Sequence, residues 1–213
     1  MKITVKLATF FNTTTNSSQV CFETIKVKDG KLLNLKYHQK RLDKTRDFFG
    51  FSNKLELKEC NFNLPKYGDF RLRVDYANEI KSFTVQKFIS REFREFTILN
   101  SDIEYEFKYT NRDKLDALKT DDKEVIIVKN GFLTDTTIAN IALCRNGTWV
   151  TPKKPLLKGT TRSRLIDGGF LKCENLTIED LKKAENFAIM NALIDFKIVK
   201  ANIELGFNCI IYK

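Results

Sequence analysis

Two Asn-Gly pairs constrain this chain more than any other feature. Asn130-Gly131 lies inside "EVIIVKNGFLTD" and Asn146-Gly147 inside "NIALCRNGTWVTP", each between apolar runs. A tight two-residue turn needs positive φ at both central positions, which Asn and Gly tolerate, and its twist suits antiparallel strands. Both segments therefore read as β-hairpins. "KDG" gives the same signal between "VCFETIKV" and "KLLNL". "FRLRVDY" alternates strictly, with Phe70, Leu72, Val74 and Tyr76 on one face and Arg71, Arg73 and Asp75 on the other. "SFTVQKF" follows after a turn, which predicts an antiparallel pair. "KITVKLATFF" and "NFAIMNALIDFKIVKANI" also read as strands.

Helical spacing is confined to short stretches. Tyr37, Leu42, Thr45, Phe48 and Phe49 fall on one side of a helix that Gly50 closes. "NRDKLDALK" reads as a short polar helix and "RSRLIDGGF" as a helix ending at glycine. "TIEDLKKAE" opens with a capping-box pattern, Thr177 to Asp180, in which Asp replaces the usual Glu or Gln. No internal repeat or low-complexity linker interrupts these elements. The expected fold is α+β with two lobes, a small amino-terminal lobe over 1–103 and a second lobe over 104–213.

Composition narrows the function classes. The chain has 213 residues, 42% hydrophobic and 30% charged, enough for one large domain or two small ones. No apolar run reaches the length of a membrane span, and the start carries a lysine and no small-residue cleavage site. A cytoplasmic protein without membrane partners is expected. Five scattered cysteines without a C-x-x-C spacing, and a single histidine, predict reduced thiols and no metal site. The net charge is +10, but basic residues are interleaved with acids and form no block. That pattern points to no nucleic-acid partner and suits an anionic small-molecule substrate.

Four segments carry polar residues where the pattern calls for explanation. In "KGTTRSRLI", glycine and two threonines open a helix, where free N–H groups can bind phosphate; a plain N-cap is the simpler reading. In "YHQKRLDKT", Arg41 sits at the edge of an apolar helix face, either reaching into a cleft or forming a salt bridge. In "GFLTDTTIANI", Asp135 either forms a turn with the threonine hydroxyls or faces a cation. In "AIMNALIDF", Asn191 interrupts an apolar strand and calls for a buried polar partner. A lysine, a carboxylate, an arginine and a helix-start phosphate cradle are the set that pyridoxal 5'-phosphate requires.

Read in order, "VCFETIKVKDGKLLNLKYHQKRLD", "FKYTNRDKLDAL", "GFLTDTTIANIAL", "WVTPKKPLLKGTTRSRLI" and "EDLKKAENFAIMNALIDF" resemble the class IV, or branched-chain and D-amino-acid type, aminotransferase family. Within it they are most similar to the 4-amino-4-deoxychorismate lyases of folate biosynthesis. The resemblance is collinear from Val20 to Phe196. It implies a two-lobed fold with pyridoxal 5'-phosphate in the cleft, and a homodimer. It also implies residue roles: Lys108 as the catalytic lysine that bonds to the cofactor, Arg41, Thr160 and Thr161 on its phosphate, Asp135 at its ring nitrogen, and Asn191 lining its pocket. Thr24 and Arg112 fall on the substrate side, and Arg71 or Arg73 can bind substrate carboxylates. The implied reaction yields 4-aminobenzoate and pyruvate; a transaminase is the alternative on the same scaffold. Three features depart from the family: Asp135 stands where glutamate is usual, the chain is short, and "SSQVC" replaces the common Gly-Asp before the "FET" segment.

Overall fold

A computed structural model describes residues 2–6, 20–119, 123–200 and 202–205. The expected continuation of the first strand through Phe11, the "SSQ" stretch and Cys209 lie outside the described residues. The chain is α+β and divides into two compact units, 1–89 with 107–111, and 90–106 with 112–213.

The first unit contains β1 (Lys2–Lys6), β2 (Cys21–Lys28), β3 (Lys31–Leu32), α1 (Leu35–Phe48), β4 (Asp69–Tyr76) and β5 (Ile80–Lys87). These strands form one sheet in the order β1-β5-β4-β2-β3. Alternation sets its faces. Cys21, Ile25, Val27, Leu72, Val74 and Tyr76 are buried and join Leu42 of α1 and Leu57 in one core. The β2–β3 turn has positive φ at Asp29 and Gly30, as the "KDG" signal requires. The buried stripe of α1 is His38, Leu42, Thr45 and Arg46. Phe48, expected on that stripe, is 65% exposed, because it lies six residues after Leu42 and so well round the helix. Arg46 takes the inner position instead, donating to the carbonyls of Asn53, Ala77 and Asn78.

The second unit contains β6 (Glu95–Asn100), α2 (Asp113–Asp116), β7 (Glu124–Lys129), β8 (Phe132–Thr136), β9 (Asn140–Arg145), β10 (Thr148–Pro152), α3 (Thr160–Asp167), β11 (Lys172–Glu174), α4 (Ile178–Lys182), β12 (Asn186–Asn191), β13 (Asp195–Val199) and β14 (Asn202–Leu205). Its sheet runs β11-β10-β9-β8-β7-β6-β14, with β12 paired to both β9 and β13. Both Asn-Gly turns have positive φ at each residue. Thr177 and Asp180 form the expected reciprocal capping box at α4. Ile126, Val128, Leu133, Ile141, Leu143 and Ile189 anchor the main core. Leu165 and Ile166 of α3 pack on Ala142, Ala188 and Met190. Among the described residues no helix is long and apolar enough to cross a membrane.

The units differ from the 1–103 and 104–213 lobes in two places. Strand β6 pairs in parallel with β7, which draws 90–106 into the second unit. Residues 107–111 return to the first unit because they pair beside β2. Phe22 N–H donates to the Lys108 carbonyl at 2.8 Å, and Thr110 N–H to the Val20 carbonyl at 2.9 Å.

Candidate functional site

In the first unit the polar residues gather around Glu23. On β2 it shares the inward face with Cys21, Ile25 and Val27, and it is fully buried. A carboxylate in an apolar row needs charged or hydrogen-bonding partners. α1 supplies two, one turn apart. Arg41 donates from Nε at 2.8 Å and from Nη2 at 2.5 Å, one bond to each Glu23 oxygen. His38 Nδ1 lies 2.6 Å from Oε2. Burial works to raise the Glu23 carboxyl, but the Arg41 charge and the hydrogen bonds from His38 and Arg41 outweigh it and bring it down to about 2. Burial lowers His38 against the pull of Glu23, so the imidazole is neutral and its Nδ1–H donates. Its Nε2 is buried, with no hydrogen-bond partner among the described residues. Arg41 thus makes the ion pair that its sequence position allowed, with a buried partner rather than a surface one.

Lys108 lies at the edge of the same strand. Its Nζ is 4.5 Å from the centre of the Phe22 ring, and the guanidinium carbon of Arg73 is 3.9 Å from that centre. Two cations on one ring draw on its negative faces. Thr24 sits opposite Arg73 in the β2–β4 ladder, on the sheet face away from Glu23. Arg73 Nε donates to Asp75 and Arg71 Nη2 to Gln86. Burial pushes the Cys21 thiol up to about 12, with Glu23 adding to the rise and Arg41 opposing it, which leaves the thiol a packing group.

In the second unit Asp135 is 3% exposed and is the β8 residue registered with Asn140 of β9. Asn140 Nδ2 donates to Oδ1 at 2.6 Å, and the Leu157 N–H donates to Oδ2 at 2.8 Å. Asn140 Nδ2 also reaches the Leu157 carbonyl at 2.8 Å, tying the loop before α3 to this pair. Burial raises the Asp135 carboxyl to about 7 against these bonds and the Arg162 charge. Gly159 caps α3 without a side-chain hydrogen bond. A Cβ there would lie 2.0 Å from Asn140 Oδ1, so only glycine lets the backbone approach so closely. Thr160, Thr161 and Arg162 follow, all buried. The first-turn amides of a helix have no acceptor within the helix.

The turn after Asp135 is held on every side. Thr137 donates its N–H at 3.0 Å and its hydroxyl at 2.5 Å to Glu124 Oε1, and its carbonyl accepts from Arg112 Nη2 at 2.7 Å. Arg112 also reaches the Tyr105 hydroxyl and Asp116. Asn191 Nδ2 donates to the Ile138 carbonyl at 3.3 Å, and its Oδ1 accepts from Leu193 and Ile194 N–H at 2.9 and 3.1 Å. The structure therefore brings Asp135, Thr160 and Thr161 into one unit with Arg112 and Asn191, and Arg41, Thr24 and Lys108 into the other. Glu23, Glu124 and Asn140 were not singled out from sequence. Glu23 had a readable signal, since it occupies an inward position of an alternating strand. Among the described residues no group of three or more His, Cys, Asp or Glu side chains is arranged to hold a metal.

Comparison with known proteins gives a consistent picture. The profile of a family described as amino-transferase class IV matches residues 105–201. An uncharacterised protein of Haemophilus influenzae is 32% identical over 184 residues, covering 81% of this chain and 96% of that protein. The crystal structure of a candidate 4-amino-4-deoxychorismate lyase from Haemophilus somnus is 28% identical, with a TM-score of 0.70, covering 83% of this chain and 97% of that one. A hypothetical aminotransferase from Mycobacterium tuberculosis, in its PLP-bound form, shares the fold at 14% identity. Its TM-score is 0.74, over 100% of this chain and 93% of that one.

Proposed function

This chain belongs to the class IV aminotransferase family, and from that premise we propose that it is a pyridoxal-phosphate enzyme that converts 4-amino-4-deoxychorismate to 4-aminobenzoate and pyruvate. The observation that carries the lyase reading is the likeness to the Haemophilus somnus candidate lyase, 28% identical over 97% of its length.

The residues present fit the cofactor. When bound, pyridoxal phosphate supplies an aldehyde for an amine and a protonated ring that withdraws electrons. Asp135 suits the ring nitrogen. An ionised carboxylate has about four lone-pair sites, and Asp135 accepts from Asn140, Leu157 and the Leu156 backbone. Burial discourages its charge, and a cationic partner restores it. Thr160, Thr161 and the start of α3, whose N-cap makes no side-chain hydrogen bond, offer donors to the phosphate. Arg41 adds a guanidinium. Asn191 fixes the backbone at Ile138 and at 193–194.

In the reaction, Lys108 Nζ takes the proton from the substrate carbon bearing nitrogen and returns one to the departing enolpyruvyl group. Thr24, and Arg73 across from it, address the substrate. Arg112 stands on the substrate side and also braces the turn after Asp135. We also place the enzyme in the cytoplasm as a homodimer; light scattering of an active monomer would refute the dimer.

The deciding assay is incubation with 4-amino-4-deoxychorismate alone. The lyase releases aromatic product and pyruvate without a keto acid. An amino-acid transaminase, the alternative on the same scaffold, needs a keto-acid acceptor and gives neither product.

A further inference from the structure

We propose that Glu23 is a positioning residue for the cofactor phosphate: its buried carboxylate fixes the plane of the Arg41 guanidinium, and this makes Arg41 selective for a phosphorylated ligand. The inference rests on the reading of Arg41 as a phosphate contact given above. Its own support is geometric. Glu23 is fully buried and meets Arg41 through two parallel bonds, Nε to Oε1 at 2.8 Å and Nη2 to Oε2 at 2.5 Å. Such a fork holds a guanidinium in one plane and one rotation. His38 Nδ1, 2.6 Å from Oε2, holds the carboxylate in turn. The assembly therefore spans β2 and two successive turns of α1, elements whose apolar residues share one core.

With Nε and Nη2 engaged by Glu23, the Arg41 guanidinium is held in one orientation by the fold. An arginine held this way has already lost the torsional freedom that a solvated arginine gives up on binding an anion. A simple charge argument predicts the opposite sign. Glu23 is negative and close to Arg41, so removing its charge should strengthen attraction for phosphate. The two accounts are therefore separable by experiment.

The test compares cofactor-free wild type, Glu23→Gln and Arg41→Lys for binding of pyridoxal phosphate and of pyridoxal, which lacks the phosphate. Absorbance titration reads both affinities, and thermal melting without ligand checks the fold. The expected result for Glu23→Gln is a pyridoxal-phosphate dissociation constant raised about tenfold, with pyridoxal affinity unchanged. A residue that merely stabilises the fold shifts both ligands together. Equal loss for both ligands, no loss, or tighter phosphate-dependent binding in Glu23→Gln overturns the inference. If Arg41→Lys also leaves the ratio unchanged, the reading of Arg41 as a phosphate contact falls as well. If Arg41→Lys lowers the ratio and Glu23→Gln does not, only the role of Glu23 falls. Should Glu23→Gln fail to fold, Glu23→Asp keeps the charge, shortens the reach to the fork and serves the same comparison.

Discussion

Asp135 is the residue whose chemistry can be argued most directly. Burial raises its carboxyl from 3.8 to about 7, against hydrogen bonds from Leu157, Asn140 and Leu156 and the Arg162 charge. The folded state then holds a proton on Asp135 that the unfolded chain has released over that range. The contribution of Asp135 to the stability of the cofactor-free protein therefore falls as pH rises from about 4 to about 7. Asp135→Asn cannot titrate. The melting-temperature difference between Asp135→Asn and wild type should move in favour of the variant as pH rises across this window. A difference that is flat with pH would show that Asp135 does not titrate there. With cofactor bound, the same variant should lose turnover by roughly a hundredfold, since one preorganised contact to developing charge is typically worth about 3 kcal/mol. Lys108 has its own check. Borohydride reduction of the cofactor-loaded protein should fix the label to Lys108, and mass mapping that finds it on Lys114 or Lys119 removes the catalytic assignment.

At the scale of elements, the β8–β9 pair and the start of α3 act together through one contact. Gly159 has an ordinary φ of −66°, so alanine there strains no backbone torsion. Its added carbon instead meets Asn140 Oδ1 at 2.0 Å. Asn140 cannot swing away cheaply, because Nδ2 is bonded to both Asp135 and the Leu157 carbonyl. Gly159→Ala should destabilise by about 1–3 kcal/mol in denaturant titration and weaken cofactor binding. In an Asn140→Ala background the same change should do little more harm. Additive losses in that double-mutant cycle would mean the clash lies elsewhere. Elements of this kind were legible in sequence where local chemistry decides them. The Asn-Gly turns, the alternation in β4 and the capping box of α4 depend on residues a few positions apart. The Gly159–Asn140 contact was not, since it joins residues that only the completed sheet brings together. Glu23 was legible in principle, as a carboxylate in an inward row, but its partners lie on α1. The stripe of α1 misled through Phe48, whose apolar character outranked its angular position.

Across the whole chain, the return of 107–111 to the first unit is the feature a linear reading could not supply, since it rests on pairing with residues more than eighty positions earlier. Each unit has its own buried core and a buried carboxylate shifted from its ordinary range, and these two carboxylates titrate in opposite senses. In the first unit Glu23 is lowered from 4.5 to about 2. A carboxyl depressed by folding stabilises the fold above its ordinary range, and that contribution is lost as pH falls from about 4.5 through 2. At 1.36 kcal/mol per unit the loss is about 3 kcal/mol. In the second unit Asp135 is raised, so the same acidification returns stability as pH falls from about 7 toward 4. Neutral His38 adds to the first trend, because burial opposes the charge that acid places on it. The cofactor-free protein should therefore come apart unevenly in acid. Hydrogen exchange followed by mass spectrometry, corrected for intrinsic rates, should show amides of β2, β4, β5 and 107–111 losing protection first between pH 4 and pH 2. Those of β7, β9 and β12 should hold longer. The 107–111 amides are the sharpest probe, since their chain neighbours on both sides belong to the second unit. If they exchange with β7 rather than with β2, or if the second unit opens first, the opposed titration of Glu23 and Asp135 does not govern acid stability.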